Sequence, residues 1–207
     1  MDSPPLGERP NITKEIKMKY FTPFLFLILA NTAFAQTTRK IVKDLDGDGK
    51  KDSVFIDSDK DILMLWLSTQ KYKRVESKEI THLNFGNTLV ATTKGFEFWN
   101  DYDRSGFISV FAYDKIAKKM RLVQMRRSDD KLGRDNSNEG LYESSVNLIT
   151  NKYVGIIRTK IKGKVIKTII NAELVFPKTY LETFSDLINF DYQAKCIALY
   201  NKNKSKK

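Results

Sequence analysis

The sequence predicts an all-β protein, an antiparallel sandwich or barrel-like meander with a short helical turn near the C-terminus. Three observations predict it. From residue 40 onward, apolar and β-branched residues recur in short runs with a period of two, separated by turn residues. No stretch sustains a 3.6-residue apolar repeat over three turns. An acidic loop, Asp44-Leu45-Asp46-Gly47-Asp48-Gly49-Lys50-Lys51-Asp52, is set between two such runs.

The runs follow in order. Lys40-Ile41-Val42-Lys43 leads into the acidic loop and Ser53-Val54-Phe55-Ile56 leaves it. After the turn at 57–61, Ile62-Leu63-Met64-Leu65-Trp66-Leu67 is apolar throughout, as in a strand covered on both faces. Residues 95–99 alternate and end in a polar loop, Asn100 to Gly106. Residues 107–113 place Phe107, Ser109, Phe111 and Tyr113 on one face. A turn at 114–118 reverses the chain into residues 119–126, with Met120, Leu122 and Gln124 alternating against Arg121, Val123 and Met125. Arg121, Arg126 and Arg127 suggest a solvent-facing side or an edge strand. A second polar loop, 128–139, precedes runs at 145–149, 153–157 and 165–170, with turns at Thr150-Asn151 and Lys162-Gly163. Pro177 ends the pattern, and Tyr180-Leu181-Glu182-Thr183-Phe184 reads as one helical turn plugging a sheet edge.

Residues 24–30, Phe-Leu-Phe-Leu-Ile-Leu-Ala, form an apolar run too short to cross a bilayer, which takes about 20 residues. With Lys19 before it and Ala33-Phe34-Ala35 after it, the run reads as a signal peptide cleaved after Ala35. Residues 1–35 are thus leader and signal, with Met18 an alternative start. Residues 36–200 form one β domain and 201–207 a basic disordered tail. The location is periplasmic or secreted, with no integral membrane anchor.

From Gln36 onward, 172 residues carry 32 Lys and Arg against 22 Asp and Glu, a net charge of about +10. That charge permits contact with anionic cell-wall polymers. No nucleic-acid motif accompanies it, so nucleic acid is excluded as a partner. Cys196 is the single cysteine and His82 the single histidine, which rules out internal disulfides and zinc sites of several His or Cys ligands. His82, in Ile80-Thr81-His82-Leu83-Asn84, has no nucleophile motif around it and reads as a satisfied surface histidine.

The acidic loop carries a metal-binding pattern. Asp-x-Asp-x-Asp-Gly-x-x-Asp puts Asp44, Asp46, Asp48 and Asp52 at positions 1, 3, 5 and 9. Lys50 offers a backbone carbonyl at position 7, and Gly49 allows the bend at position 6. All-oxygen ligation selects Ca2+. An EF-hand would place Glu at position 12, where Phe55 stands, and the flanks read as strands, so the loop is not an EF-hand. Asp57 or Asp59 could complete the shell. The expected role of the ion is structural.

This loop, together with Phe107-x-x-x-Phe111-x-Tyr113-Asp114-Lys115-x-x-x-Lys119-Met120-x-Leu122, Glu143-Ser144-Ser145-Val146-Asn147-Leu148-Ile149-Thr150-Asn151-x-Tyr153-x-Gly155 and residues 176–184, resembles exported proteins of the Bacteroidetes. Those are related to immunity proteins against cell-wall hydrolases delivered by type IV secretion. The resemblance implies a calcium-bearing β fold similar to periplasmic lysozyme inhibitors and protection against a peptidoglycan hydrolase. Inhibitors of basic lysozymes are commonly acidic, whereas this chain is basic. An inhibitor would present a loop to its target, and Asp101, Tyr102, Asp103 and Arg104 are the candidate binding residues, Tyr and Arg being favoured anchors. Two alternatives stand beside it. One is a glycan-binding or adhesion module using Trp99, Tyr102 or Tyr142 as stacking platforms. The other is a glycosidase drawing two carboxylates from Glu97, Asp101, Asp103, Glu139 and Glu143. No pair is singled out, so no catalytic residue is assigned.

Overall fold

Period-two alternation becomes antiparallel pairing throughout the computed structural model, which describes residues 39–102, 104–130 and 140–204. Residues 1–38, which include the expected leader and signal peptide, Asp103, most of the second polar loop (131–139) and the last three residues lie outside the described residues. A four-stranded sheet runs β1 (Lys40–Lys43), β2 (Asp52–Asp57), β3 (Ile62–Trp66) and β4 (Arg74–Glu76). A seven-stranded sheet is a continuous meander of β5 (Thr88–Thr92), β6 (Gly95–Tyr102), β7 (Ser105–Asp114), β8 (Lys119–Asp129), β9 (Gly140–Asn147), β10 (Lys152–Ile161) and β11 (Lys164–Glu173). Both sheets are open among the described residues.

One hydrophobic core joins the inner faces of the two sheets. Ile41, Val54, Ile56, Leu63 and Leu65 from the small sheet meet Leu89, Phe96, Phe98, Phe107, Phe111, Met120 and Leu122 from the large one. The expected helical turn is present at Leu181–Thr183 and closes the gap between the sheets. Leu181 and Phe184 are fully buried, Lys78 N–H donates to the Phe184 carbonyl, and Leu122 N–H donates to that of Thr179.

Two features depart from simple alternation. Val110 faces Gln124 while Phe111 faces Leu122, leaving Val123 as an extra residue in β8. This β-bulge transfers the inward set from Met120 and Leu122 to Met125, Arg127 and Asp129. The grouping of Gln124 with Met120 and Leu122 is therefore overturned, because one inserted residue flips every side chain beyond it. Arg127 is buried, pairing with Asp129, donating to Gln193 Oε1 at 3.3 Å and lying over the Phe107 ring. β8 lies between β7 and β9, so it is not an edge.

The second departure is α1 (Leu187–Lys204), an 18-residue helix where only a short turn was expected. It also takes up residues 201–204, expected as disordered tail; Lys202 and Lys204 stand in its last turn, where cations favour the helix dipole. Its buried stripe is Asn189, Tyr192 and Cys196, at helical spacing but two-thirds polar in appearance, which hid it from an apolar-periodicity reading. α1 lies on the inner face of the large sheet. Ser109 donates to Asn189 Oδ1 (3.3 Å), and the Tyr192 hydroxyl donates to Ser144 Oγ (2.8 Å), beside Cys196 Sγ. Among the described residues no helix is long and apolar enough to cross a membrane.

Beneath α1 the hydroxyls of Tyr142 and Tyr153 meet in a hydrogen bond. Gly155 makes room for them, since a Cβ there would stand 2.6 Å from the Tyr153 hydroxyl and 3.2 Å from that of Tyr142. Burial pushes the pKa of Tyr142, Tyr153 and Tyr192 well above the ordinary value of 10.0. These groups stay protonated in the folded chain while the unfolded chain ionises near pH 10, so their contribution to stability is complete below pH 10 and is lost as pH rises beyond it. An alkaline titration followed by tyrosinate absorbance and circular dichroism should show these three of the nine tyrosines ionising only as the fold is lost. Ionisation of all nine near pH 10 with the dichroism intact would contradict the arrangement.

Candidate metal centre

The acidic loop connects β1 to β2. Gly47 and Gly49 adopt φ of 85° and 84°, left-handed conformations that residues with a Cβ adopt at a cost. The turn they permit points backbone N–H groups at the aspartates. Asp44 accepts from Gly47 N–H (2.6 Å) and Gly49 N–H (2.9 Å), one to each oxygen. Asp46 Oδ1 accepts from Asp48 N–H (3.2 Å), and Asp48 Oδ1 from Lys50 N–H (2.8 Å). The Lys50 N–H is the main cause holding the Asp48 carboxyl below its ordinary range.

Asp44, Asp46 and Asp48 each place a carboxylate oxygen within 4.8 Å of the others. Calcium–oxygen distances are about 2.3–2.6 Å, so oxygens sharing one calcium stand at most about 5 Å apart. The three oxygens fit that limit, and an all-carboxylate donor set suits a hard cation. Asp46 is buried, Asp44 half-buried and Asp48 exposed, so the cluster opens to solvent on one side.

Asp52 takes a different place from its neighbours. It is 1% exposed, and both its oxygens are occupied by backbone donors. Oδ2 accepts from Leu45 N–H (2.7 Å) and Asp46 N–H (3.1 Å), and Oδ1 from Ser68 N–H (2.7 Å). It ties the loop to the short 3-10 turn Ser68–Gln70 that follows β3. That turn supplies partners the sequence reading missed. Thr69 Oγ1 donates to Asp46 Oδ2 at 2.6 Å, and Thr69 N–H points at the same oxygen (3.3 Å). Only the docking of a segment 22 residues away brings them there, so no local pattern could signal it. Lys50 lies exposed between Asp48 and Asp52. Asp57 caps its own turn by accepting from Asp59 and Lys60 N–H groups, and Phe55 stacks on Trp66 at 5.2 Å.

The proposed binding loop is reshaped. Residues 100–106 are not an open loop, because β6 continues to Tyr102 and β7 begins at Ser105. Asn100 is drawn inward by the 82–84 segment, which is why the alternation is obscured. Asn100 is buried, accepting from Asn84 N–H (3.0 Å) and donating to the His82 carbonyl (3.0 Å) and to the Tyr102 hydroxyl (2.9 Å). Tyr102 donates in turn to the His82 carbonyl (2.9 Å) and packs on Phe107 and Phe190. Desolvation, assisted by the Asp186 charge, pushes its hydroxyl pKa up to about 12. Asp101 Oδ1 occupies the space a Cβ at Gly106 would need. Arg104 stands exposed at the hairpin end, and Asp103 lies outside the described residues. His82 Nδ1 is 3.0 Å from Asp186, which is buried and also accepts from the Thr81 and His82 N–H groups.

Tyr142, expected as an exposed platform, is fully buried because β9 directs it beneath α1. Trp99 faces the outer side of the large sheet and donates its indole N–H to Glu97 (2.7 Å), which pairs with Arg126. Glu143 pairs with Arg158 on the same face, and Glu139 lies outside the described residues.

Fold and site together define a two-sheet antiparallel β protein with a preformed acidic loop at the tip of its first hairpin. Compared with family models, with curated proteins and with solved structures, the chain finds no match.

Asp52→Ala would strand buried N–H groups of Leu45, Asp46 and Ser68 at once, with a cost of about 1–3 kcal/mol or more. Urea unfolding in the presence of chelator should show this loss, because it does not depend on an ion. A variant as stable as the parent would refute the anchoring role.

Proposed function

We propose that the chain is an exported β protein that holds one Ca2+ ion on Asp44, Asp46 and Asp48 and acts by binding a macromolecule. The observation that carries this reading is the convergence of three carboxylate oxygens within 4.8 Å on a glycine-hinged loop. The ion stabilises the β1–β2 hairpin and takes no part in turnover. Lys50 contributes through its backbone carbonyl, and Asp52 supports the loop from behind.

Calcium should raise the thermal midpoint of the parent chain, since a ligand that binds the folded form alone stabilises it by RT ln(1 + [L]/Kd). At 1 mM calcium and a Kd of about 10⁻⁴ M the gain is about 1.4 kcal/mol. Asp48→Ala leaves the fold intact, because Asp48 is exposed, and should abolish the calcium-dependent shift. A midpoint unchanged between calcium and chelator would sink the metal reading.

The macromolecule proposed is a cell-wall hydrolase, with the chain serving as a periplasmic inhibitor or immunity-like protein. The resemblance described above supports this, and the ion pairs that engage Glu97 and Glu143 weigh against a glycosidase pair. Peptidoglycan hydrolases incubated with the purified chain should lose activity in proportion to its concentration, and Arg104→Ala at the hairpin end should weaken that inhibition. Undiminished activity of muramidases, amidases and endopeptidases at saturating chain would reject the inhibitor reading while leaving the calcium site standing.

A further inference from the structure

β11 is an outer strand: among the described residues its strand partner is β10 alone. The turn Lys162-Gly163 has left-handed φ at both positions (48° and 79°), so Ile161 and Lys164 close the hairpin as a hydrogen-bonded pair. In an antiparallel ladder such pairs alternate with non-bonded ones. Lys164, Ile166, Thr168, Ile170 and Ala172 therefore direct their backbone groups at β10. The bond from Leu174 N–H to the Asn151 carbonyl, 2.9 Å, continues the same series. Val165, Lys167, Ile169, Asn171 and Glu173 direct theirs outward, away from the sheet.

This edge has few of the usual protections. It is ten residues long, holds no proline and pairs with β10 without a bulge. Four apolar side chains along it are exposed, Val165 and, just past the strand, Val175 at 66% each, Ile169 at 53% and Ile166 at 47%, while Ile170 packs into the core.

We propose that β11 is a self-association edge, on which a second copy of the chain pairs antiparallel about a two-fold axis at Ile170, joining two seven-stranded sheets into one. A two-fold requires the same residues on both sides, with outward-directed groups meeting outward-directed groups, which leaves a small set of registers. With the axis at Ile170, Lys167 of each copy faces Glu173 of the other. Val165 then faces Val175, Ile166 faces Leu174, and Ile169 faces Asn171. With the axis at Ile169, Glu173 would face Val165; at Thr168, Lys167 would face Ile169. Of these three registers only the Ile170 one sets Lys167 against Glu173 and Val165 against Val175, with Ile169 against Asn171 between them. The strand thus carries its own complement, which selects a second copy over an unrelated acidic strand.

Sedimentation equilibrium and light scattering on the chain from residue 35 onward, which is the whole compact unit, test this. The expected result is a concentration-dependent dimer. Lys167→Glu and Glu173→Lys each place like charges opposite one another on both sides of the axis, and each should weaken dimerisation by roughly tenfold or more. The double variant exchanges the two charges and should restore the parent constant. Circular dichroism of all variants should be unchanged, as both positions are exposed or outward-directed. A parent chain monomeric up to about 10⁻⁴ M would overturn the proposal, whether the edge instead takes a terminal segment or another protein's strand. A dimer indifferent to the single reversals, or one the double variant fails to restore, would equally overturn it.

Discussion

The carboxylate of Asp52 is the contact on which the small sheet and its loop depend. It begins β2, is almost wholly buried, and receives N–H groups both from the loop it closes and from the turn after β3. A buried charge without such donors would be severely unfavourable. With them it fixes where the acidic loop starts and where the turn after β3 must lie. That turn then reaches the large sheet: Gln70 donates to the Lys118 carbonyl at 2.6 Å, and Thr69 lies 3.3 Å from the Tyr113 hydroxyl. One side chain thereby couples the loop, the small sheet and the β7–β8 turn.

The strands were legible wherever one face is buried and the other is wet. β1 matches its sequence run residue for residue, and Phe107, Ser109 and Phe111 share the buried face as their spacing requires. Legibility failed where tertiary contacts replaced local pattern. β5 has a single fully buried residue, Leu89, and β4 none, so neither shows alternation. The bulge at Val123 is a geometric event with no residue signature of its own. α1 escaped because its inner stripe answers a polar surface. Ser109, Ser144 and Arg127 on the sheet call for Asn189, Tyr192 and Gln193 on the helix, and hydropathy does not register that match.

At the acidic loop the spacing of Asp44, Asp46 and Asp48 announced their convergence, since alternate residues on a glycine-hinged turn face one way. The same spacing could not distinguish Asp52 from them. Position 9 looks like a ligand on a linear pattern, yet it sits at the first residue of a strand, where both its oxygens accept backbone N–H groups of Leu45, Asp46 and Ser68. A second lesson comes from residues 100–106. Polar composition suggested an open loop, but Asn100 is polar because it must bind buried backbone groups of residues 82 and 84.

The division of labour among the four aspartates bears on how strongly an ion can act. In small metal domains whose ligands gather only when the metal arrives, binding free energy is folding free energy. Here the backbone N–H groups of Gly47, Asp48, Gly49 and Lys50 already hold the three front carboxylates, and Asp52 anchors the loop independently. Those N–H dipoles offset part of the mutual repulsion of the carboxylates. Little chain ordering would remain to oppose the proposed ion, so calcium would add to a fold that stands without it. The effect of the proposed ion would then scale with free calcium as simple mass action. Such a site would suit the proposed export, since extracellular calcium is abundant and modest affinity, with Kd of about 10⁻⁴ to 10⁻³ M, would be sufficient.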